Sequence, residues 1–178
     1  LPAAVSSFDI KSFVGGGKKF LKYIEKENNF DSIFLSSLAM ILLQKKGINI
    51  SVIMPYIDNL NSLSFWYKQL WAESIGKKKM GTTPVNSLGT VDQHSQLQLF
   101  LDGPKDKFYT IIGRKKIKRQ TKLDCRYGNN NKLETLHEKS LETLLRAEME
   151  ATIETLESKK LPVRFFEIDV LNEECVGF

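Results

Sequence analysis

Histidine and cysteine are both scarce in this chain, with only two of each among 178 residues. Cys125 and Cys175 lie far apart and form no CxxC pair or Cys/His cluster, which argues against a structural zinc site. Two thiols without paired spacings are typical of a reducing compartment. The sequence therefore predicts a cytoplasmic protein that binds no structural metal.

Long hydrophobic runs are missing as well. The longest apolar stretch, residues 34–43, contains two serines and is about half of the ~20 residues that a membrane-spanning helix needs. The apolar start at Leu1 follows no basic segment, so it does not resemble a signal peptide. The net charge of +5 is small and favours anionic partners, among them phosphorylated metabolites, nucleic acids and anionic lipids.

Both ends of the sequence are apolar. The chain begins with Leu1 instead of methionine and stops at the apolar residues 176–178. The ends of natural domains are usually polar and loosely held. We therefore expect residues 1–178 to form a single domain that is truncated at both ends relative to a longer protein.

Extended and helical patterns alternate along the chain. Residues 48–54 are short, apolar and β-branched between Gly47 and Pro55, which is typical of a buried parallel strand. Further strands are predicted at 108–112 and 163–168, and helices fill most of the intervals. This alternation predicts an α/β fold, namely a three-layer αβα sandwich with a mostly parallel sheet.

Several local expectations follow from the same patterns. Asp9 should cap a short helix that ends at the glycines 15–17. The helix over 31–46 is apolar on most sides, which predicts burial. Residues 76–89 are predicted to be a loop, and Ser140 is predicted to cap a long helix. The basic stretch 114–122 is interpreted as a solvated edge, with an anion-binding arm as the alternative.

The two histidines have different surroundings. His137 lies among charged residues and is interpreted as a surface residue. His94 lies at a predicted loop-to-helix junction, where free backbone N–H groups attract anions, and is the better candidate for chemistry.

Glu73 is the candidate carboxylate. It lies at the end of a helix that contains Trp66 and Trp71, and partial desolvation there would raise its pKa towards that of a general base. The alternative is a solvated glutamate at the end of a helix. Gln69 precedes it by four residues, so both side chains project from one helix face.

Residues 52–103 resemble the phosphoglucose isomerase family. They read VIMPYIDNLNSLSFWYKQLWAESIGKKKMGTTPVNSLGTVDQHSQLQLFLDG. The most specific elements are MPY, WYKQLWAESIGK and LGTVDQHSQLQLFLDG, and the short connecting loop is similar to that of the bacterial form. Weaker resemblance covers the rest of the chain.

The resemblance implies a function and a site. The family interconverts glucose 6-phosphate and fructose 6-phosphate without a metal or organic cofactor, and its fold is similar to sugar-isomerase (SIS) domains. By resemblance, Glu73 transfers the proton, His94 opens the sugar ring and Gln69 contacts the substrate. The resemblance also implies a homodimer, because in this family the histidine reaches the active site from the neighbouring subunit.

Other parts of the family's active site have no match here. Its phosphate-binding loops and its arginine would precede Leu1, and its catalytic lysine would follow Phe178; the lysines 77–79 do not replace it. We therefore expect the chain alone to be inactive.

Three alternatives remain open at this point. The first is a dual phosphoglucose/phosphomannose isomerase, and the second is a non-catalytic SIS module that only binds a sugar phosphate. The third is a nucleic-acid module resting on the basic stretch.

Overall fold

The computed structural model describes residues 2–27, 30–115, 121–124 and 136–178. In chain order its elements are α1 (Pro2–Val5), α2 (Ile10–Glu27), α3 (Phe30–Lys45), β1 (Ile50–Pro55), a 3-10 turn (Asp58–Leu60), α4 (Asn61–Ile75), β2 (Thr83–Asn86), α5 (Gly89–Ser95), α6 (Leu97–Asp102), β3 (Lys107–Arg114), α7 (Leu141–Ser158), β4 (Val163–Ile168) and α8 (Glu173–Gly177).

Two compact units make up the chain. The first contains Leu1–Lys46 and Ile168–Phe178, and the second is Gly47–Glu167. The second unit carries the sheet and every candidate site residue. The expectation of one domain over residues 1–178 stays a prediction.

Helix α2 of the first unit does not end at its glycines. Asp9 caps it as expected, since its Oδ1 accepts a hydrogen bond from the Ser12 N–H at 3.0 Å. The predicted break at residues 15–17 is wrong, because α2 continues to Glu27. Gly16 serves packing instead: a Cβ there would lie 2.8 Å from the Phe178 nitrogen, so α8 could not approach α2 as it does.

Helix α3 was expected to be buried on most sides, and this expectation is wrong for the described structure. Its apolar residues surround the whole helix, and its own unit covers only part of that circumference. The exposed apolar side chains of α3 are Ile33, Phe34, Leu35, Leu38, Ile41 and Leu42.

The sheet of the second unit has the order β2-β1-β3-β4, and its strands are parallel. Residue Val52 of β1 pairs with Val85 of β2 on one side and with Tyr109 of β3 on the other. Strand β1 is buried as its sequence predicts, because β-branched apolar residues fill a strand that is covered on both faces. The predicted α/β sandwich is confirmed.

The core of this unit gathers around the two central strands. It joins residues of β1 and β3 to α6 and to the inner face of α7. The fully buried members are Val52, Met54, Tyr56, Phe100, Tyr109, Ile111, Met149, Leu156 and Leu161. Ser140 caps α7 as predicted, since its Oγ accepts a hydrogen bond from the Thr143 N–H at 3.0 Å.

Two elements differ from the sequence prediction. Strand β2 lies inside the predicted loop 76–89, and α5 begins at Gly89, four residues earlier than expected. Of the basic stretch, residues 116–120 lie outside the described residues. Among the described residues, no helix is long and apolar enough to cross a membrane.

Replacing Gly16 by alanine should loosen α8 from α2, because the new Cβ would meet the backbone of Glu174 and Phe178. Overpacking of this kind costs about 1–3 kcal/mol. Gly15→Ala is the matched control: its Cβ would meet nothing within 4 Å, and alanine in a helix is favoured over glycine by about 1 kcal/mol.

The measurement is amide hydrogen exchange in α2 and α8. We expect faster exchange in Gly16→Ala and equal or slower exchange in Gly15→Ala. Equal protection in the two variants would show that the close approach of the helices is not needed.

Candidate active site

Gln69 and Glu73 meet on one face of α4. The Gln69 Nε2 donates a hydrogen bond to the Glu73 Oε1 at 3.2 Å, across one helical turn. This bond orients the carboxylate and leaves its second oxygen, Oε2, without a hydrogen bond from the described residues. The sequence prediction that these two side chains share a face is confirmed.

Glu73 is a solvated side chain at the helix end, and partial desolvation beside the tryptophans is not observed. Both Glu73 and Gln69 are exposed, and so is Trp66, at 55%. The neighbouring apolar positions Phe65 and Leu70 are 49% and 42% exposed. We call these five residues the α4 strip: polar groups that lie between exposed aromatic and aliphatic side chains on the outer face of the helix.

Helix α4 runs antiparallel to β2, and two hydrogen bonds fix this alignment. Trp71 Nε1 donates to the Thr82 Oγ1 at 2.9 Å, and Lys68 Nζ donates to the Asn86 Oδ1 at 3.3 Å. Later residues of the helix therefore lie beside earlier residues of the strand. Glu73, which follows Trp71, lies towards the amino end of β2.

His94 lies at the opposite side of the sheet, where the carboxyl ends of the strands are. It belongs to the last turn of α5, which follows the carboxyl end of β2, so the prediction that it lies at a loop-to-helix junction is wrong. Its neighbour Gln93 is hydrogen-bonded to the hydroxyl of Tyr56, the residue after β1, at 2.9 Å. His94 itself is exposed and makes no hydrogen bond or ion pair with the described residues.

Within one chain, the structure therefore does not bring Glu73 and His94 together. The two residues lie near opposite ends of β2. The four residues of this strand span roughly 10 Å at 3.3 Å per residue. The family resemblance placed both residues in one site. No local pattern in the sequence indicates whether each residue lies near the amino ends or the carboxyl ends of the strands.

The Tyr56 hydroxyl holds α5 in position. It is hydrogen-bonded to Gln93 and, at 2.8 Å, to the Thr152 Oγ1 of α7, while the ring is only 4% exposed. Gly89 lies against the ring, where a Cβ would come within 2.6 Å of the Tyr56 Cγ. Burial raises the pKa of the Tyr56 hydroxyl, which keeps it protonated as a donor. Sequence analysis noted Tyr56 only as part of the MPY motif and did not assign it this role.

Asp92 stabilises the start of α5. Its Oδ2 accepts a hydrogen bond from the Leu88 N–H at 2.6 Å, and its Oδ1 accepts from Ser95 and Gln96, each at 2.8 Å. Burial alone would raise the pKa of the Asp92 carboxyl. The three hydrogen bonds outweigh burial and lower this pKa below 3.8.

His137 is partly exposed, and its Nδ1 lies 3.9 Å from a carboxylate oxygen of Asp124, far in sequence from the candidate site. Among the described residues, no three His, Cys, Asp or Glu side chains form a group that could hold a metal ion.

Comparison with known proteins gives relatives along nearly the whole chain. A probable glucose-6-phosphate isomerase of Methanococcus maripaludis is 34% identical over 177 residues, 99% of this chain. The glucose-6-phosphate isomerase of Rubrobacter xylanophilus is 32% identical over 179 aligned positions, and that of Methanocaldococcus jannaschii is 34% identical over 170.

Along nearly its whole length the chain is similar to proteins named glucose-6-phosphate isomerase. It spans only about two fifths of the length of these relatives, 39% of the first and 41% of the other two. No family model matches the chain. The candidate site residues Gln69, Glu73 and His94 lie within the matched segment.

A solved structure has the same fold as this chain. The crystal structure of a hypothetical protein from Thermus thermophilus superposes with a TM-score of 0.89 at 29% identity, covering 99% of this chain and 43% of that one. The resemblance to the family that residues 52–103 suggested is therefore confirmed.

Asp92→Asn should destabilise the protein in a pH-dependent way. The folded carboxyl has a lowered pKa, so its ionised form contributes stability above pH ~4, and this contribution is lost as the pH falls through the folded pKa. We expect Asp92→Asn to cost about 1 kcal/mol near neutral pH.

The measurement is the free energy of unfolding from pH 7 to pH 2. The difference between the protein and Asp92→Asn should shrink below pH ~4. The control is Asp58→Asn, because the Asp58 side chain makes no hydrogen bond to the described residues. A difference that stays constant across the pH range would contradict the assigned role of the carboxylate.

Proposed function

We propose that the protein is an aldose–ketose isomerase that interconverts glucose 6-phosphate and fructose 6-phosphate in the cytosol. The observation that carries this proposal is the Gln69–Glu73 pair, a carboxylate oriented by an amide on an exposed helix face. The names of the relatives support the choice of reaction.

The pair suits proton transfer between two adjacent carbons. The ring must first open, which moves a proton from the anomeric hydroxyl to the ring oxygen, and an imidazole titrates in the right range for this step. Glu73 then takes the proton from C2 and returns it to C1 through an enediol. Because Gln69 holds Oε1, the Oε2 of Glu73 is the oxygen that carries the proton.

We propose that His94 acts on the substrate of a second copy of the chain, so that the active unit is a homodimer. Glu73 and His94 lie towards opposite edges of one sheet, and both are exposed. One hexose phosphate would have to extend along the whole of β2 to contact both residues of the same chain. In such a dimer, the second copy of the chain would cover the exposed apolar residues of the α4 strip and complete the site.

Glu73→Gln should abolish isomerisation, since the amide keeps the shape of the side chain but cannot accept the C2 proton. We expect exchange of the C2 hydrogen of glucose 6-phosphate with deuterated water to fall about 10²- to 10⁴-fold. Binding of the sugar phosphate should change little. The measurement is NMR of the substrate in deuterated water, using the protein as its gene encodes it.

Glu154→Gln is the matched control, because Glu154 is exposed on α7 and forms no ion pair with the described residues. It should leave the exchange rate unchanged. Exchange that persists in Glu73→Gln would show that another base abstracts the proton.

Mixing two inactive variants tests the shared site. When Glu73→Gln and His94→Asn subunits are mixed, unfolded and refolded together, half of the dimers combine both variants. Each such dimer has one site with an intact Glu73 and an intact partner His94. We expect about a quarter of the activity of the unmodified protein. If both residues of a site came from the same chain, the mixture would stay inactive.

A further inference from the structure

The topology of the sheet marks a ligand crevice that contains none of the candidate catalytic residues. From β1 the chain crosses to β2 on one side, and then passes to β3 on the other side of β1. In parallel α/β sheets, ligands bind at the carboxyl ends of the two strands where the direction of winding changes. Here those strands are β1 and β3.

A pocket lies at this position. Tyr56, which follows β1, and Arg114, which ends β3, form its floor, and α7 contributes Glu142, Leu145, Arg146 and Met149. The space in it that a water-sized molecule can occupy is about 20 Å³, and the pocket is open to solvent on one side. Helix α7 approaches the floor closely because Gly113 has no side chain: a Cβ there would lie 2.9 Å from the Met149 Cε.

Arg114 is the unusual member of the pocket. Its guanidinium makes no hydrogen bond or ion pair with the described residues, and its Nε is buried without a partner. Burying a charged donor without an acceptor is costly, and native structures rarely do so. Residues 114–122 are predicted to be a solvated edge, with an anion-binding arm as the alternative, and the structure places Arg114 half-buried at the end of a central strand.

Arg146, the other cation of the pocket, is already paired. Its Nε lies 2.7 Å from the Glu150 Oε1, its Nη1 donates to the Lys115 carbonyl at 2.8 Å, and its Nη2 lies 3.7 Å from a Glu167 oxygen. Glu142, the carboxylate of the pocket, accepts hydrogen bonds from the Thr121 N–H, the shorter at 3.1 Å. Of the two cations that line the pocket, Arg114 is therefore the one without a hydrogen-bonded or ion-paired partner among the described residues.

We propose that this pocket is a second ligand site, which binds a small oxyanion through Arg114. The ligand presents a phosphate or carboxylate group, because the planar guanidinium donates paired hydrogen bonds to either. Leu145 and Met149 accommodate an apolar part of the ligand. Glu142 limits the charge that the pocket accepts, since a second negative charge would face its carboxylate.

The site does not depend on the isomerase proposal, because Gln69, Glu73 and His94 are not among the residues that line it. It is nonetheless connected to the proposed chemistry. Tyr56 forms part of the pocket floor, and its hydroxyl is hydrogen-bonded to Gln93, the residue before His94.

The test follows the Nε–Hε resonance of Arg114 in ¹H–¹⁵N NMR spectra, assigned by its loss in Arg114→Lys. Inorganic phosphate and acetate are the two probes, and they distinguish the phosphate from the carboxylate source. Chloride at equal ionic strength is the control. We expect a saturable shift with at least one probe and none with chloride.

Variants then separate the contributions. Arg114→Gln should weaken binding of the probe, measured by calorimetry, about tenfold or more. Arg114→Lys should weaken it less, because the charge remains and only the fork geometry is lost. Glu142→Gln should strengthen binding, since it removes the opposing carboxylate. Lys105→Gln, an exposed lysine outside the pocket, is the charge-matched control and should leave the affinity unchanged.

Two results would overturn the proposal. One is an Arg114 resonance that neither probe moves beyond the effect of chloride. The other is a resonance that moves in Glu142→Gln without any probe and ceases to respond to phosphate, since Arg114 would then be the internal partner of Glu142. Loss of isomerase activity in Glu73→Gln has no bearing on either result, so the two proposals can fail separately.

Discussion

Parallel pairing of β1 with β2 requires the intervening helix to run back along the sheet, and this requirement determines where the candidate site residues lie. The two bonds from α4 to β2, Trp71 to Thr82 and Lys68 to Asn86, keep the helix in that alignment. The end of α4 is thereby held at the amino edge of the sheet, while α5 starts from the carboxyl edge. A chain with this topology holds Glu73 and His94 near opposite ends of the parallel strands.

The exposed apolar side chains of the two units have the same explanation. A helix that is apolar around its circumference, such as α3, and an aromatic strip beside a paired carboxylate, such as that of α4, are surfaces that proteins normally cover. This chain spans about two fifths of its relatives. The amount of apolar surface left open is in keeping with a segment whose contacts extend beyond its own 178 residues.

Sequence patterns predicted the elements whose structure is decided locally. Strand β1 and the Ser140 cap depend on residues within a few positions of each other, and both are confirmed. Strand β2 was missed because it is four residues long, lies at the edge of the sheet and contains Pro84. Helix α2 was predicted to end at its glycines, but its continuation depends on α8, which lies about 160 positions away in sequence.

The same distinction applies to the site. Gln69 and Glu73 could be paired from their spacing, because one helical turn separates them. The opposite placement of His94 depends on strand order, which no local pattern contains. The burial of Arg114 depends on how closely α7 packs against Gly113, so a basic stretch in the sequence could not distinguish it from its solvated neighbours.

The hydroxyl of Tyr56 has a consequence for the order of folding. It joins Gln93, 37 positions away, to Thr152, 96 positions away, so the bonds around it close a long loop of chain. Contacts of such separation form late, because the entropy of closing the loop must be overcome first. We therefore expect α5 to become fixed only after α7 has docked, with the imidazole of His94 among the last groups of this unit to reach its native position.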